Sequence, residues 1–271
     1  MDIASTSSVA TAGRTSVTFR DRVLVFDFDG TVSLGLGPVR SYARFISEGL
    51  PIADATAFLA AVDSGLALQS HLADDEPVDH TVAGSVAIDG YDLVRLVSLG
   101  FPVTAADRDQ AYLRSRHELA TDAAPVAAPT GLADFLAEAR EHAHLVLATN
   151  APDIRITETL NTIGLSESFD VVYTSVGKPA GLESILDTWL DRVGAPTADA
   201  TSRSASPAHT VLSIGDVWVN DLAPAHRRGA STALVGSSQA NDATPTFRAE
   251  HIADLYPAIR SWLVAPAASG T

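Results

Sequence analysis

The stretch Val23-Leu24-Val25-Phe26-Asp27-Phe28-Asp29-Gly30-Thr31 constrains this chain more than any other. Four consecutive apolar residues read as a strand buried on both faces, the kind that parallel sheets use. The two carboxylates after them mark a strand end that opens into a site. Arg22–Asp27 is one of five apolar runs with strand character; the others are His144–Thr149, Asp170–Ser175, Thr210–Gly215 and Thr232–Val235. Helical patterns at Gly131–Glu141, Asp153–Ile163, Ala180–Val193 and just after Asp221 are interleaved with them. Such alternation predicts an α/β fold around a doubly wound, Rossmann-like parallel sheet, with ligands outside the carboxyl ends of the strands.

The gap between the first and second runs is far longer than a crossover needs. Most of it, residues 36–124, has helical periodicity, at Val39–Glu48, Ala53–Val62, Ser85–Ser98 and Ala105–Ala120, with a link through His71–Thr81. It is expected to form an inserted all-helical subdomain on a core made of residues 19–35 and 125–265. Leu34–Pro38 and Ala123–Pro129 have hinge composition at its two ends. Residues 1–18 and 266–271 read as tails, and Gly194–Pro207 and Gly236–Thr246 as polar loops.

Composition narrows the partners. The 33 acidic residues against 18 basic give a formal charge of −15, which argues against nucleic acid or an anionic membrane surface. There are no cysteines, so thiol catalysis, disulfides and thiolate metal sites are excluded. No long uncharged apolar run reads as a membrane span, and the Ser/Thr/Ala-rich start lacks a signal-peptide core, so a cytoplasmic protein is expected. An acidic chain that handles a phosphate ester must also supply local positive charge.

The residues that carry chemistry lie at the ends of the strand-like runs. Asp27 is placed to attack phosphorus in line, and Asp29, two residues on, to protonate a leaving oxygen and later activate water. An isolated aspartate here would read as an acidic turn; the pair after a buried run does not. Gly30 lets the chain turn under a phosphate and Thr31 supports the loop, although both also suit an ordinary turn. Thr149 and Asn150 end the second run, where a hydroxyl and backbone donors can hold a phosphoryl oxygen or simply cap a helix. Lys178, in Ser175-Val176-Gly177-Lys178-Pro179, is the only lysine among the 18 basic residues. Its ammonium can neutralise both a nucleophile and an incoming phosphoryl group. Asp216 and Asp221 follow the fourth run in Gly215-Asp216-Val217-Trp218-Val219-Asn220-Asp221. Hard oxygens suit Mg2+, with Asp216, Asp27 and the backbone carbonyl of Asp29 as ligands and Asp221 orienting water or Lys178.

These four motifs, in this order over residues 20–265, resemble the haloacid dehalogenase-like superfamily. The resemblance implies a magnesium-dependent phosphatase that acts on a small phosphorylated metabolite, with Asp27 as nucleophile, Asp29 as acid/base, Thr149 and Lys178 on the phosphate, and Asp216 and Asp221 at the metal. The insertion is similar to the family's helical cap, which closes over the site and excludes water. Phosphonate-cleaving members use a cap lysine, which this chain lacks, and dehalogenating members lack the second aspartate, which it has. A phosphosugar mutase and a non-catalytic phosphate-responsive binding module remain alternatives. Val32-Ser33-Leu34-Gly35-Leu36 departs from the acidic residue that many helical-cap relatives carry there.

Other polar groups receive plainer expectations. Asp74, Asp75, Glu76 and Asp79 with His71 and His80 read as a solvated acidic loop. Arg114, Arg116 and His117 could contact a second anionic group of a substrate, but they do not share one helical face and are expected in solvent. Trp218 has no assigned role, and oligomeric state is not legible.

Overall fold

A computed structural model describes residues 20–71, 81–82, 85–194, 207–236 and 243–265. The expected tails, most of the two polar loops and the acidic segment 74–80 lie outside the described residues.

The core is a six-stranded parallel sheet in the order β5-β4-β1-β6-β7-β8. Its strands are β1 (Arg22–Phe26), β4 (Ala143–Ala148), β5 (Val171–Tyr173), β6 (Val211–Gly215), β7 (Ser231–Val235) and β8 (Phe247–Ala249). Alternation along each strand explains why both faces are covered. Leu24 and Phe26 join Leu145, Leu147, Leu212 and Ile214 in one apolar cluster. Val23 and Val25 join Val146, Ala148 and Val211 in the other. The first face packs under α5 (Leu132–Ala139), α6 (Ile156–Thr162) and α9 (Ile252–Val264), and the second under α7 (Ala180–Gly194) and α8 (Ala223–Arg227). Registers are regular: Leu24 stands opposite Leu145 on one side and Leu212 on the other. The expected doubly wound α/β core is therefore present.

Two core elements were not legible from periodicity. β8 is only three residues, Phe247-Arg248-Ala249. α9 contains Pro257, which reads as a breaker. Its buried residues Ile252, Leu255, Tyr256, Ile259 and Leu263 nevertheless keep a helical period.

Between β1 and α5 the chain forms α1 (Gly37–Ser47), α2 (Ile52–His71), a short antiparallel hairpin of β2 (Thr81–Val82) and β3 (Ser85–Val86), α3 (Gly90–Ser98) and α4 (Ala105–His117). The insertion is thus helical apart from that hairpin, which corrects the all-helical expectation and the helix placed over Ser85–Ser98. The physical reason is Asp89, whose side chain accepts the backbone N–H of Asp92 at 2.7 Å and starts α3. The insertion has an apolar cluster of its own, in which Phe58 is fully buried and meets Phe101 edge to face at 5.5 Å. Its entry and exit segments are zipped together, with Leu34 N–H donating to Ala127 O at 2.8 Å and Ala127 N–H returning to Leu34 O at 2.9 Å. Gly37 is needed at this junction, because a Cβ there would stand 2.6 Å from Pro125 O.

Phe58→Ala removes the centre of the insertion's core, with no contact to the sheet clusters. It is expected to lower stability by about 3–5 kcal/mol in urea titrations. A loss below about 1 kcal/mol would show that this cluster does not hold the insertion together.

Candidate active site

The strand order reverses between β1 and β6, since β4 and β5 are added to one side of β1 and β6 to β8 to the other. In open parallel sheets that switch point is where loops part and ligands enter. Asp27 follows β1 there, its N–H still in the ladder to Ile214 O at 2.9 Å, and Asp216 follows β6. The loops of these two strands touch. Gly30, at φ +86°, lies so close that a Cβ would fall 2.2 Å from Asp216 Oδ2. No other residue type fits. Gly215 is equally confined, with Asp221 Cβ 2.4 Å from the place a Cβ would take.

Lys178 reaches the site from the loop between β5 and α7. Its Nζ donates to Asp27 Oδ1 at 2.6 Å and to Asp221 Oδ1 at 2.8 Å, with only 2% of the side chain exposed. Asp221 sits on a single π turn, Trp218–Leu222, and its Oδ2 accepts the N–H of Val217 at 3.0 Å. Asn150 Oδ1 accepts the backbone N–H of Lys178 at 2.7 Å, so its side chain fixes the lysine loop. Thr149 is buried, with its Oγ1 accepting Ala151 N–H at 3.0 Å. The N–H groups of Gly30 and Thr31 are used inside the turn, on Ser33 O and Phe28 O. The Thr31 hydroxyl is fully buried and has no partner among the described residues, so it lies beneath the turn and not on its open face. Trp218 packs against Leu222 and Leu234, below the site.

Negative charge exceeds positive charge here. One carboxylate oxygen from each of Asp27, Asp216 and Asp221 lies within 4.8 Å of the others. Burial, then Asp27 and Asp221, push the Asp216 carboxyl well above the ordinary range. Burial raises Asp221 to about 7 against the pull of Lys178. Burial disfavours the Lys178 ammonium, but Asp27 and Asp221 outweigh it and raise its pKa. Asp216, Asp221 and Lys178 shift upward together, the signature of a pocket short of cations. Three hard oxygens at this separation fit a small divalent cation, and Asp27, Asp216 and Asp221 are the residues that could hold one.

Asp29 faces the other way. Both of its oxygens accept from Arg116 Nη1, at 3.2 and 3.0 Å, and the same nitrogen donates to Tyr91 Oη at 2.8 Å. Arg116 comes from the last turn of α4 and its side chain is 0% exposed, so the expectation of a solvated arginine is corrected. Arg114 and His117 are exposed, and Arg114 pairs with Glu48 at 2.8 Å. The sequence held one weak signal: Arg116 lies four residues after Tyr112, on the same face. Only tertiary packing brings Tyr91 to it, with the Tyr91 and Tyr112 rings edge to face and their centroids 5.6 Å apart. Burial raises the pKa of Asp29, and Arg116 opposes the rise. Asp89, at the start of α3, is also part of this field; burial, Asp92, Asp29 and Asp27 raise it to about 6 although its N-cap bond lowers it.

Two predictions follow from this crowding. Gly30→Ala should displace Asp216 and weaken divalent-cation binding by about 10–100-fold in calorimetry, because the cluster's oxygens can no longer converge. Asp89→Asn keeps the cap and removes a charge. Asp89 has a higher pKa folded than unfolded, so the native state binds more protons between about pH 4 and 6. Its charge therefore costs stability as pH rises through that window and above it. In EDTA, Asp89→Asn should melt higher than wild type at pH 7.5 and alike near pH 4; equal melting at both would remove Asp89 from the field.

No protein-family model matches the sequence, and no curated protein matches it. Solved structures do. YfnB of Bacillus subtilis, a provisionally assigned HAD-hydrolase solved bound to magnesium, is 18% identical, with 89% of this chain and 100% of that one covered at a TM-score of 0.51. A predicted phosphoglycolate phosphatase of Haemophilus somnus 129pt is 14% identical over 90% and 99%, at 0.53. The L-2-haloacid dehalogenase RSc1362 is 17% identical over 89% and 100%, at 0.51. No helix among the described residues is long and apolar enough to cross a membrane. With its six-stranded parallel sheet and these relatives in shape, the chain has the fold of the haloacid dehalogenase-like hydrolases.

Proposed function

We propose that the protein is a magnesium-dependent phosphatase of this superfamily, hydrolysing a small phosphorylated metabolite in the cytoplasm through phospho-Asp27. The observation that carries this reading is the joint placement of Asp27 and Asp29. One lies against Lys178 in the acidic trio, and the other is turned away beneath the insertion. Two carboxylates in unlike surroundings can divide nucleophile from acid/base. The fold is shared by a predicted phosphatase and a dehalogenase, but a dehalogenating reaction has no need of Asp29, so the pair favours phosphoryl transfer.

An oxygen of Asp27 bonds to phosphorus as the bond to the substrate alcohol breaks, and Asp29 gives the departing oxygen its proton. Asp29 then takes a proton from the water that attacks phospho-Asp27, which releases inorganic phosphate and restores the carboxylate. Lys178, tied to Asp27 and Asp221, neutralises the nucleophile and the incoming phosphoryl oxygens. The Thr149 hydroxyl, at the end of β4, is available to donate to one of those oxygens. Asp27, Asp216 and Asp221, with the Asp29 carbonyl, would hold a magnesium ion, which when bound would supply the positive charge that lets these anions meet. The insertion serves as a cap that excludes water.

Phosphate release from a panel of phosphomonoesters tests the proposal. Release should require magnesium and vanish in Asp27→Asn, whereas Asp29→Asn should retain a rate lower by about 10²–10⁴-fold. Undiminished release from Asp27→Asn would sink the covalent route, and no release by folded wild type with magnesium would sink the phosphatase itself.

A further inference from the structure

Arg116 is the only charged side chain that is fully buried among the described residues, and its bonding is lopsided. A guanidinium has five N–H donors, and it holds a carboxylate best with two nitrogens side by side, one for each oxygen. Asp29 does not use it so. Both Asp29 oxygens lie on Nη1, as does the Tyr91 hydroxyl. Nε and Nη2, which form the side-on edge, are buried and have no acceptor among the described residues. Asp89, the other acidic group nearby on the insertion, is committed to the N–H of Asp92 at 2.7 Å. The edge best shaped for a carboxylate therefore has no acceptor among the described residues, beside the residue proposed to serve the leaving oxygen.

Taking the phosphatase reading as its basis, we infer that the Nε/Nη2 edge of Arg116 binds a carboxylate on the alcohol portion of the substrate, so the preferred substrates are phosphomonoesters of short hydroxy acids. The placement sets the length. Arg116 touches Asp29 directly, and Asp29 is the group that serves the leaving oxygen, so the carboxylate lies within a few bonds of the ester oxygen. The charge balance sets the need. An anionic group entering beside Asp27, Asp29 and Asp89 is repelled unless a cation receives it, and Arg116 is the cation at that side. Arg116 thus acts as a specificity residue on the insertion, distinct from the acidic trio that faces the phosphoryl group.

A matched pair of esters separates this role from a structural one: 3-phosphoglycerate and glycerol 3-phosphate differ in having a carboxylate or a CH2OH group. With magnesium-loaded enzyme, wild type should prefer the first in kcat/KM by at least about tenfold, chiefly through KM. In Arg116→Gln the ratio should collapse towards one. Arg116→Lys keeps the charge without the side-on edge and should collapse it as well, which covers the case where the glutamine variant fails to fold. Calorimetry with glycerate, the product acid, gives a readout without turnover: binding to wild type should be lost in both variants. A wild type with no preference, or a ratio unchanged in the variants, overturns the inference. If wild type releases phosphate from neither ester but binds glycerate through Arg116, the phosphatase reading fails and the carboxylate site stands.

Discussion

A single ammonium is shared between Asp27 and Asp221, while Asp216 stands beside them with no ion-pair partner among the described residues. That shortage of positive charge is the constraint on which the site depends. Burying carboxylates together is costly unless counter-charge arrives, so the arrangement favours binding a cation and then an anion. The sheet makes the crowding possible. β1 and β6 deliver one aspartate each to the switch point, and their loops approach so closely that glycine is required at residues 30 and 215.

Much of this was legible in the sequence because it is local. Buried parallel strands announce themselves as apolar runs, and Asp27, Lys178 and Asp216 sit just past their ends. What stayed hidden depends on packing between distant segments. α9 was obscured by Pro257, although its apolar period is intact. The start of α3 was misread because a single side chain, Asp89, decides where that helix begins. Asn150 looked like a phosphate group's partner, yet its amide oxygen is used on the Lys178 backbone, a contact across 28 residues. Arg116 was read as solvated because charge on a polar helix usually is, and nothing local reveals that Tyr91, from another helix, accepts from it.

The core and the insertion hold different parts of the problem. The charges of the proposed phosphoryl site come from strand ends, which a sheet packed on both faces keeps rigid. The insertion, with an apolar cluster of its own, sends Arg116, Tyr91 and Asp89 towards Asp29 from above. A direct ionic contact therefore joins the two regions at the proposed acid/base, so whatever enters from the insertion side meets Asp29 and Arg116 together.

The solitary lysine has a further consequence. Lys178 offers the chain's only side-chain amine, and it is almost wholly enclosed and held by two carboxylates that keep it protonated. Amine-directed reagents should therefore find that side chain inert while the cluster is intact. Acylation at residue 178 would then report loss of the site's internal order, a chemical gauge that a lysine-rich surface would have drowned out.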